Sequence, residues 1–154
     1  MLKRLLARIL YRIWQFKQVL LPRLDRNKWD AAVAELAPQV RNQLAALKKS
    51  EKAHIMRVYD DINNDAGLQP DMRQYLLTLA LLHDIGKSVT RPSLLFKVAK
   101  VLLPIANTEH CLAGARLLRQ FRQNRQLIRR VLRHHDLEVS DAVLKLFQQY
   151  DDRN

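Results

Sequence analysis

The chain has little of what turns, sheets and cross-links are made from. Its 154 residues include 3 glycines and 5 prolines. No alternating apolar–polar pattern longer than four residues occurs, which argues against a sheet and leaves helices. Cys111 is the single cysteine, so an intramolecular disulfide is excluded and a reducing compartment is favoured. Aromatic residues make up 6% of the chain, and neither a glycine-rich phosphate loop nor a helix-turn-helix pair stands out, against a nucleic-acid reader. No uncharged apolar run is long enough to span a membrane. The N-terminal stretch Met1 to Leu21 is apolar enough to resemble a signal peptide, but it is broken by Arg4, Arg8, Arg12 and Lys17 and is followed by no small-residue cleavage site, which leads us to expect a cytoplasmic protein. Repeats, low-complexity runs and an internal linker are also absent, so a single domain is expected.

Positive charge is abundant. Lys and Arg outnumber Asp and Glu by 27 to 15, for a formal net charge of +12. Such a surface attracts polyanions, whether nucleic acid, anionic lipid or phosphorylated small molecules, without choosing among them. The first 24 residues read as a basic amphipathic helix, with Leu2, Leu5, Leu6, Ile9, Leu10, Ile13, Trp14 and Leu20 at helical steps and arginines on another face. It either docks on the domain or makes peripheral contact with a membrane surface.

Residues 25–154 read as the main domain. A helix is expected from about Asn27 or Asp30 to Ala37, with Pro38 opening the next segment. Val40 to Ile62 has one helical pattern, closed by a turn at Asn63, Asn64, Asp65 and Gly67. Asp71 to Asp84 is the most apolar segment, hence the central buried helix, with Gly86 as its stop. A loop over Ser88 to Pro92 and a short oily helix over Ser93 to Leu103 follow; the latter packs in the core or forms a lid. Helices are then expected at Thr108 to Phe121, with Thr108 as N-cap, at Asn124 to His135, and at Asp141 to Asp151.

The chemistry lies in the five histidines, His54, His83, His110, His134 and His135. All fall on or at the ends of these helices, and His83 is followed by an aspartate in Leu81-Leu82-His83-Asp84-Ile85-Gly86-Lys87. Imidazole and carboxylate are the nitrogen and oxygen ligands of Zn, Mn, Fe and related ions. A His and an Asp closing an apolar helix are costly unless something pairs with them, and a metal ion does so.

In this order the residues resemble the HD-domain phosphohydrolase superfamily. His54-Ile55-Met56-Arg57-Val58 is similar to that family's first-histidine helix. His110 with Gly114-Ala115-Arg116-Leu117-Leu118, and Val131-Leu132-Arg133-His134-His135, resemble its later histidine segments. Tyr150-Asp151-Asp152-Arg153-Asn154 resembles its closing helix. The resemblance covers roughly residues 30–154. It implies an all-α, compact helical bundle, with the N-terminal amphipathic helix as an addition. It also implies a divalent metal (Mn, Fe, Zn, Mg, Co or Ni) held by His54, His83, Asp84 and Asp151, and a second ion on His110 with His134, His135 or both. Which of the two neighbours points inward stays open, since adjacent helical positions lie about 100° apart. Asp136 and Asp152 are alternatives to Asp151, which the apolar stripe Val143, Leu144, Phe147 and Tyr150 favours.

The expected reaction is hydrolysis of a phosphate ester, of a nucleotide or another small phosphorylated compound, by a metal-activated water whose pKa falls from near 16 towards about 7. Asp84 bridges two ions or takes the water's proton. Lys87 is the first candidate for a phosphate contact and Arg91 the second. Trp14, Trp29 and Met56 are packing residues. Competing readings are an HD-fold regulatory module without turnover, a basic nucleic-acid-binding helical protein, and oxidative chemistry at a polynuclear site.

Overall fold

The computed structural model describes residues 22–91 and 108–154. The expectations for the amphipathic N-terminal helix and for the oily segment 93–103 lie outside them. The described chain is all-α: seven helices and one four-residue helical turn. They are α1 (Arg26–Val33), α2 (Pro38–Ala45), α3 (Lys49–Asn63), α4 (Pro70–Leu82), the turn α5 (Lys87–Thr90), α6 (Glu109–Gln120), α7 (Arg125–Arg133) and α8 (Ala142–Asp151). No helix among the described residues is long and apolar enough to cross a membrane.

Helix starts follow local chemistry. Asp25 accepts from the Lys28 amide, Asn124 from that of Gln126, and Asp141 from those of Val143 and Leu144, satisfying amides that have no intrahelical partner. Pro38 and Pro70 occupy first turns, where a missing N–H costs nothing. Two expectations about ends need correction. The first described helix stops at Val33 rather than Ala37. Thr108 stands at the N-cap position of α6, but its side chain makes no capping bond.

Val40 to Ile62 is not one helix. Ala46, Leu47 and Lys48 separate α2 from α3. The break contains no glycine or proline to announce it. What starts α3 is Glu51, whose carboxylate accepts from the Lys48 amide at 2.8 Å in the manner of a capping box.

α4 lies at the centre, packed against α3, α7 and α8, while α6 and α7 form an antiparallel hairpin. Leu76, Leu77, Leu79, Ala80, Leu81 and Leu82 of α4 are all buried, as a helix with neighbours on most sides requires. Leu44, Ile55, Val58, Ile62, Leu118, Val131, Leu144 and Phe147 complete the core from the surrounding helices.

Residues 88–90, expected in a loop, belong to α5, which Arg91 ends in a left-handed conformation (φ 42°). Gly86 does not act as a helix stop. α4 has ended at Leu82, and Gly86 has an ordinary φ of −65°. Its smallness is what matters: a Cβ there would collide with the His110 carbonyl and lie 2.5 Å from the Gly114 amide nitrogen. Across the same contact, a Cβ on Gly114 would meet Gly86, Ile85 and Val131 at 3.3 Å. The pair of glycines lets the turn after His83-Asp84 lie directly on the first turns of α6.

At the opposite end of α4's hairpin with α3, the Tyr150 hydroxyl donates to Asp65 Oδ2 at 2.5 Å, and Asp65 Oδ1 accepts from the Gly67 amide at 2.8 Å. The Tyr150 bond, then that amide, hold the Asp65 carboxyl below its ordinary range. Burial, then the Asp65 bond, push Tyr150 up to about 12.

Two predictions follow from this packing. Gly86→Ala lowers unfolding free energy by at least about 1–3 kcal/mol, the cost of overpacking against backbone. Gly114→Ala costs less, because its contacts are looser and alanine favours helix by about 1 kcal/mol; urea denaturation ranks the two. Because the Asp65 carboxyl is depressed in the fold, its contribution is present above the unfolded carboxylate pKa of about 4 and is lost as pH falls through the lower folded value. Asp65→Asn therefore has a lower Tm than wild type at pH 7 and a smaller difference at pH 2–3 on the scale of those pKa values; equal differences at both pH values would contradict the assignment.

Candidate metal centre

The buried polar side chains of the core gather in one place. His83, Asp84, His110, His134 and Asp151 are each no more than 8% exposed, and His54 joins them from the middle of α3. Five elements supply them: α3 (His54), the end of α4 (His83 and Asp84), the first turn of α6 (His110), the end of α7 (His134 and His135) and the last residue of α8 (Asp151).

Asp84 stands between two groups. On one side, His54 Nε2–H donates to Asp151 Oδ1 at 2.9 Å, and His83 Nε2 lies 3.5 Å from both Asp151 Oδ1 and Asp84 Oδ2. On the other, Asp84 Oδ1 lies 3.3 Å from His110 Nε2 and 3.9 Å from His134 Nε2. The ligand atoms of His54, His83 and Asp84 fall within 4.8 Å of one another, as do those of His110, Cys111, His134 and His135.

Two imidazoles are aimed by the same device. His83 Nδ1–H donates to the Ala80 carbonyl at 2.8 Å, and His134 Nδ1–H to the Val131 carbonyl at 2.7 Å. Both residues follow directly on a helix end, where carbonyls have lost their intrahelical partners. The bond fixes the tautomer, so each Nε2 carries a lone pair rather than a proton. Both Nε2 atoms are buried without a hydrogen-bond partner, and Asp84 Oδ1 is too. Orphaned acceptors of this kind are rare in native interiors, and three of them facing one another fit a cation.

Electrostatics agree. Burial drives His83 and His134 towards the neutral, metal-binding form, His134 well below the ordinary histidine range. Burial opposes ionisation of Asp84 and Asp151, yet their neighbours outweigh it. Lys87, His83 and His110 hold Asp84 well below the usual carboxylate range; His83 and His54 do the same for Asp151.

Lys87 ion-pairs with Asp84 Oδ2 and is thereby raised in pKa against the effect of its own burial. Its turn is anchored from α2, where Gln43 Nε2 donates to Ser88 Oγ at 2.7 Å. α8 does the corresponding work at the other histidine pair: Gln148 Nε2 donates to the His134 and Asp136 carbonyls at 3.1 and 2.9 Å.

The expected residues thus come together. Asp151 is the carboxylate beside His54 and His83; Asp136 pairs instead with Arg133 at 2.6 Å, and Asp152 is exposed. His134 is the buried member of its pair. His135 is exposed, with its ring 5.2 Å from that of His110 and 4.1 Å from that of His134. Arg91 is exposed, its Nε turned to the Ser88 carbonyl at 3.4 Å. In the sequence Cys111 speaks only to redox compartment, yet the fold places it in the second cluster. Its place beside His110 on the helix was the available signal for the cluster it joins. A separate groove of about 490 Å³ lies along α3 beside residues 22–28 and includes none of these side chains.

Lys87 does for Asp84, in this structure, what a bound cation would do. Its removal leaves a buried carboxylate uncompensated, which costs about 3–5 kcal/mol. Lys87→Gln is therefore expected to lower the Tm of chelator-treated protein sharply and to gain more Tm from added Mn²⁺ or Zn²⁺ than wild type does. Equal metal-induced shifts in the two proteins, by differential scanning fluorimetry, would overturn this.

A family model described as HD domain matches residues 51–152, about two thirds of the chain. No curated protein and no solved structure matches it.

Proposed function

The chain belongs to the HD-domain family, and on that premise we propose that it is a metal-dependent phosphohydrolase acting on a small phosphorylated compound, with nucleotides the first class to test. The observation that carries the reading is the trio of buried, unpartnered acceptors: His83 Nε2, His134 Nε2 and Asp84 Oδ1. In this reading one ion is held by His54, His83, Asp84 and Asp151, a second by Asp84 with His110, His134 and His135. A divalent ion with open positions polarises a phosphoryl oxygen and supplies hydroxide near neutral pH.

The chain's own residues do the rest. Ala80 and Val131 carbonyls keep the His83 and His134 lone pairs turned inward, so donors are set before a ligand arrives. Asp84, ionised at neutral pH, serves both groups and can accept a proton from the attacking water. Lys87 is within reach to exchange its Asp84 partner for a phosphoryl oxygen, placing positive charge where the transition state gathers negative charge. The α6–α7 hairpin carries His110 and His134 at its ends and seven arginines, with no acidic residue, between Glu109 and Asp136. Its field draws anions towards the site.

The test is metal analysis of the purified protein alongside phosphate release from a nucleotide panel and an aryl phosphate. Wild type is expected to carry Mn, Fe, Zn or Co and to release phosphate. His83→Ala and Asp84→Ala are expected to carry less metal and to lose phosphate release. Wild type that takes up no metal after reconstitution would sink the proposal; metal uptake without release from any substrate would favour a regulatory HD module.

A further inference from the structure

We propose that Cys111 is itself a metal ligand, so that the second site of this chain is a thiolate–imidazole site formed by Cys111, His110, His134 and His135. This rests on the two-ion reading above and puts Cys111 at the second ion in the place given there to Asp84, which stays with the first.

Proximity comes first. The sulfur and one nitrogen from each of the three imidazoles lie within 4.8 Å of one another. Cys111 Sγ is 3.6 Å from His110 Nε2. A tetrahedral site with metal–sulfur and metal–nitrogen bonds of about 2.3 and 2.0–2.1 Å separates sulfur from nitrogen by about 3.5 Å, so these two donors already stand at ligand spacing. The rings converge as well: His110 and His134 have centroids 5.4 Å apart, His134 and His135 4.1 Å.

His134 is the independent witness. Its side chain is fully buried, its Nδ1–H is committed to the Val131 carbonyl, and its Nε2 has no hydrogen-bond partner. A ring nitrogen with its lone pair held beside a sulfur and two further imidazoles is set to donate to a cation. Cys111 is 1% exposed. A buried cysteine commonly packs as a small apolar side chain, but this one sits against a ring nitrogen in a cluster of metal-binding side chains.

The donor set makes a chemical commitment. Thiolate with imidazole suits Zn²⁺, Fe²⁺ and Co²⁺ and disfavours Mg²⁺. Binding expels the thiol proton to solvent as the metal–sulfur bond forms. The site therefore answers to Zn²⁺ and Co²⁺ through the sulfur, and Mg²⁺ gives no such response.

Co²⁺ titration of the full chain tests this directly. Wild type is expected to bind two equivalents and to develop a sulfur-to-cobalt charge-transfer band in the near ultraviolet in step with the second equivalent. Cys111→Ser and Cys111→Ala, checked for fold by circular dichroism, are expected to lack the band and to bind the second equivalent about 10-fold or more weakly. His83→Ala is expected to weaken the first equivalent and keep the band. No band in wild type, or a Cys111→Ala protein with both affinities unchanged, overturns the proposal. The two readings separate cleanly: a sulfur band without phosphate release fails the hydrolase alone, and phosphate release without the band fails the thiolate alone.

Discussion

Asp84 is a carboxylate with 1% exposure at the end of an apolar helix, and an ionised group in that position must be neutralised where it stands. Desolvating an unpaired carboxylate costs several kcal/mol even after relaxation. The fold brings Lys87 to Oδ2 and sets the His110 and His134 imidazoles beside Oδ1. Each partner comes from a different direction, and each requires its own backbone to be in register. The turn after α4 must bring Lys87 back onto Asp84, α6 must start directly above that turn, and α7 must end beside α6. Gly86 and Gly114 permit the closest of these approaches, and no other residue at position 86 would leave the His110 carbonyl where it is.

Helix ends carry the second constraint. Inside a helix a histidine's Nδ1 competes for carbonyls that are already engaged; one residue past the end, the free carbonyl three residues back takes it. His83 and His134 use this position identically, although their helices cross the core in different places. The lone pair direction of each of these ε-nitrogens is therefore a consequence of where α4 and α7 stop, and α8 holds the second stop in place through Gln148.

Much of this was legible in the chain. Pro38 in a first turn and the apolar segment of α4 located their helices from residue type alone, and the last two helices begin beside Asn124 and Asp141, where they were expected. The five histidines were legible as an ensemble because none fell outside the pattern, and Asp151 because the stripe of Val143, Leu144, Phe147 and Tyr150 carries it inward. What escaped was set by tertiary contact. The break at Ala46 to Lys48 has no helix breaker and depends on Glu51 folding back. Gly86 looked like a stop because glycine often is one; its reason lies on another helix. His134 and His135 are neighbours in sequence, and only the packing of α7 against α4 and α6 buries one and exposes the other. Cys111 looked like redox bookkeeping because a lone cysteine has no partner visible in the sequence.

Folding and metal binding are separable in this architecture. In small zinc modules the ion substitutes for a core, and the apo chain is unfolded. Here Leu44, Ile55, Leu76, Leu79, Leu82, Leu118, Val131, Leu144 and Phe147 form a continuous apolar core, and the site occupies one end of it. The imidazole tautomers are fixed by backbone carbonyls, and the central carboxylate is neutralised by a lysine. A chain built this way presents its donors ready-made, so an incoming ion has little ordering cost to offset and its affinity reflects the donor set. The same preorganisation holds neutral ε-nitrogens in a dry interior, at a cost in stability that apolar side chains would avoid, and the Ala80 and Val131 carbonyls decide where that cost falls.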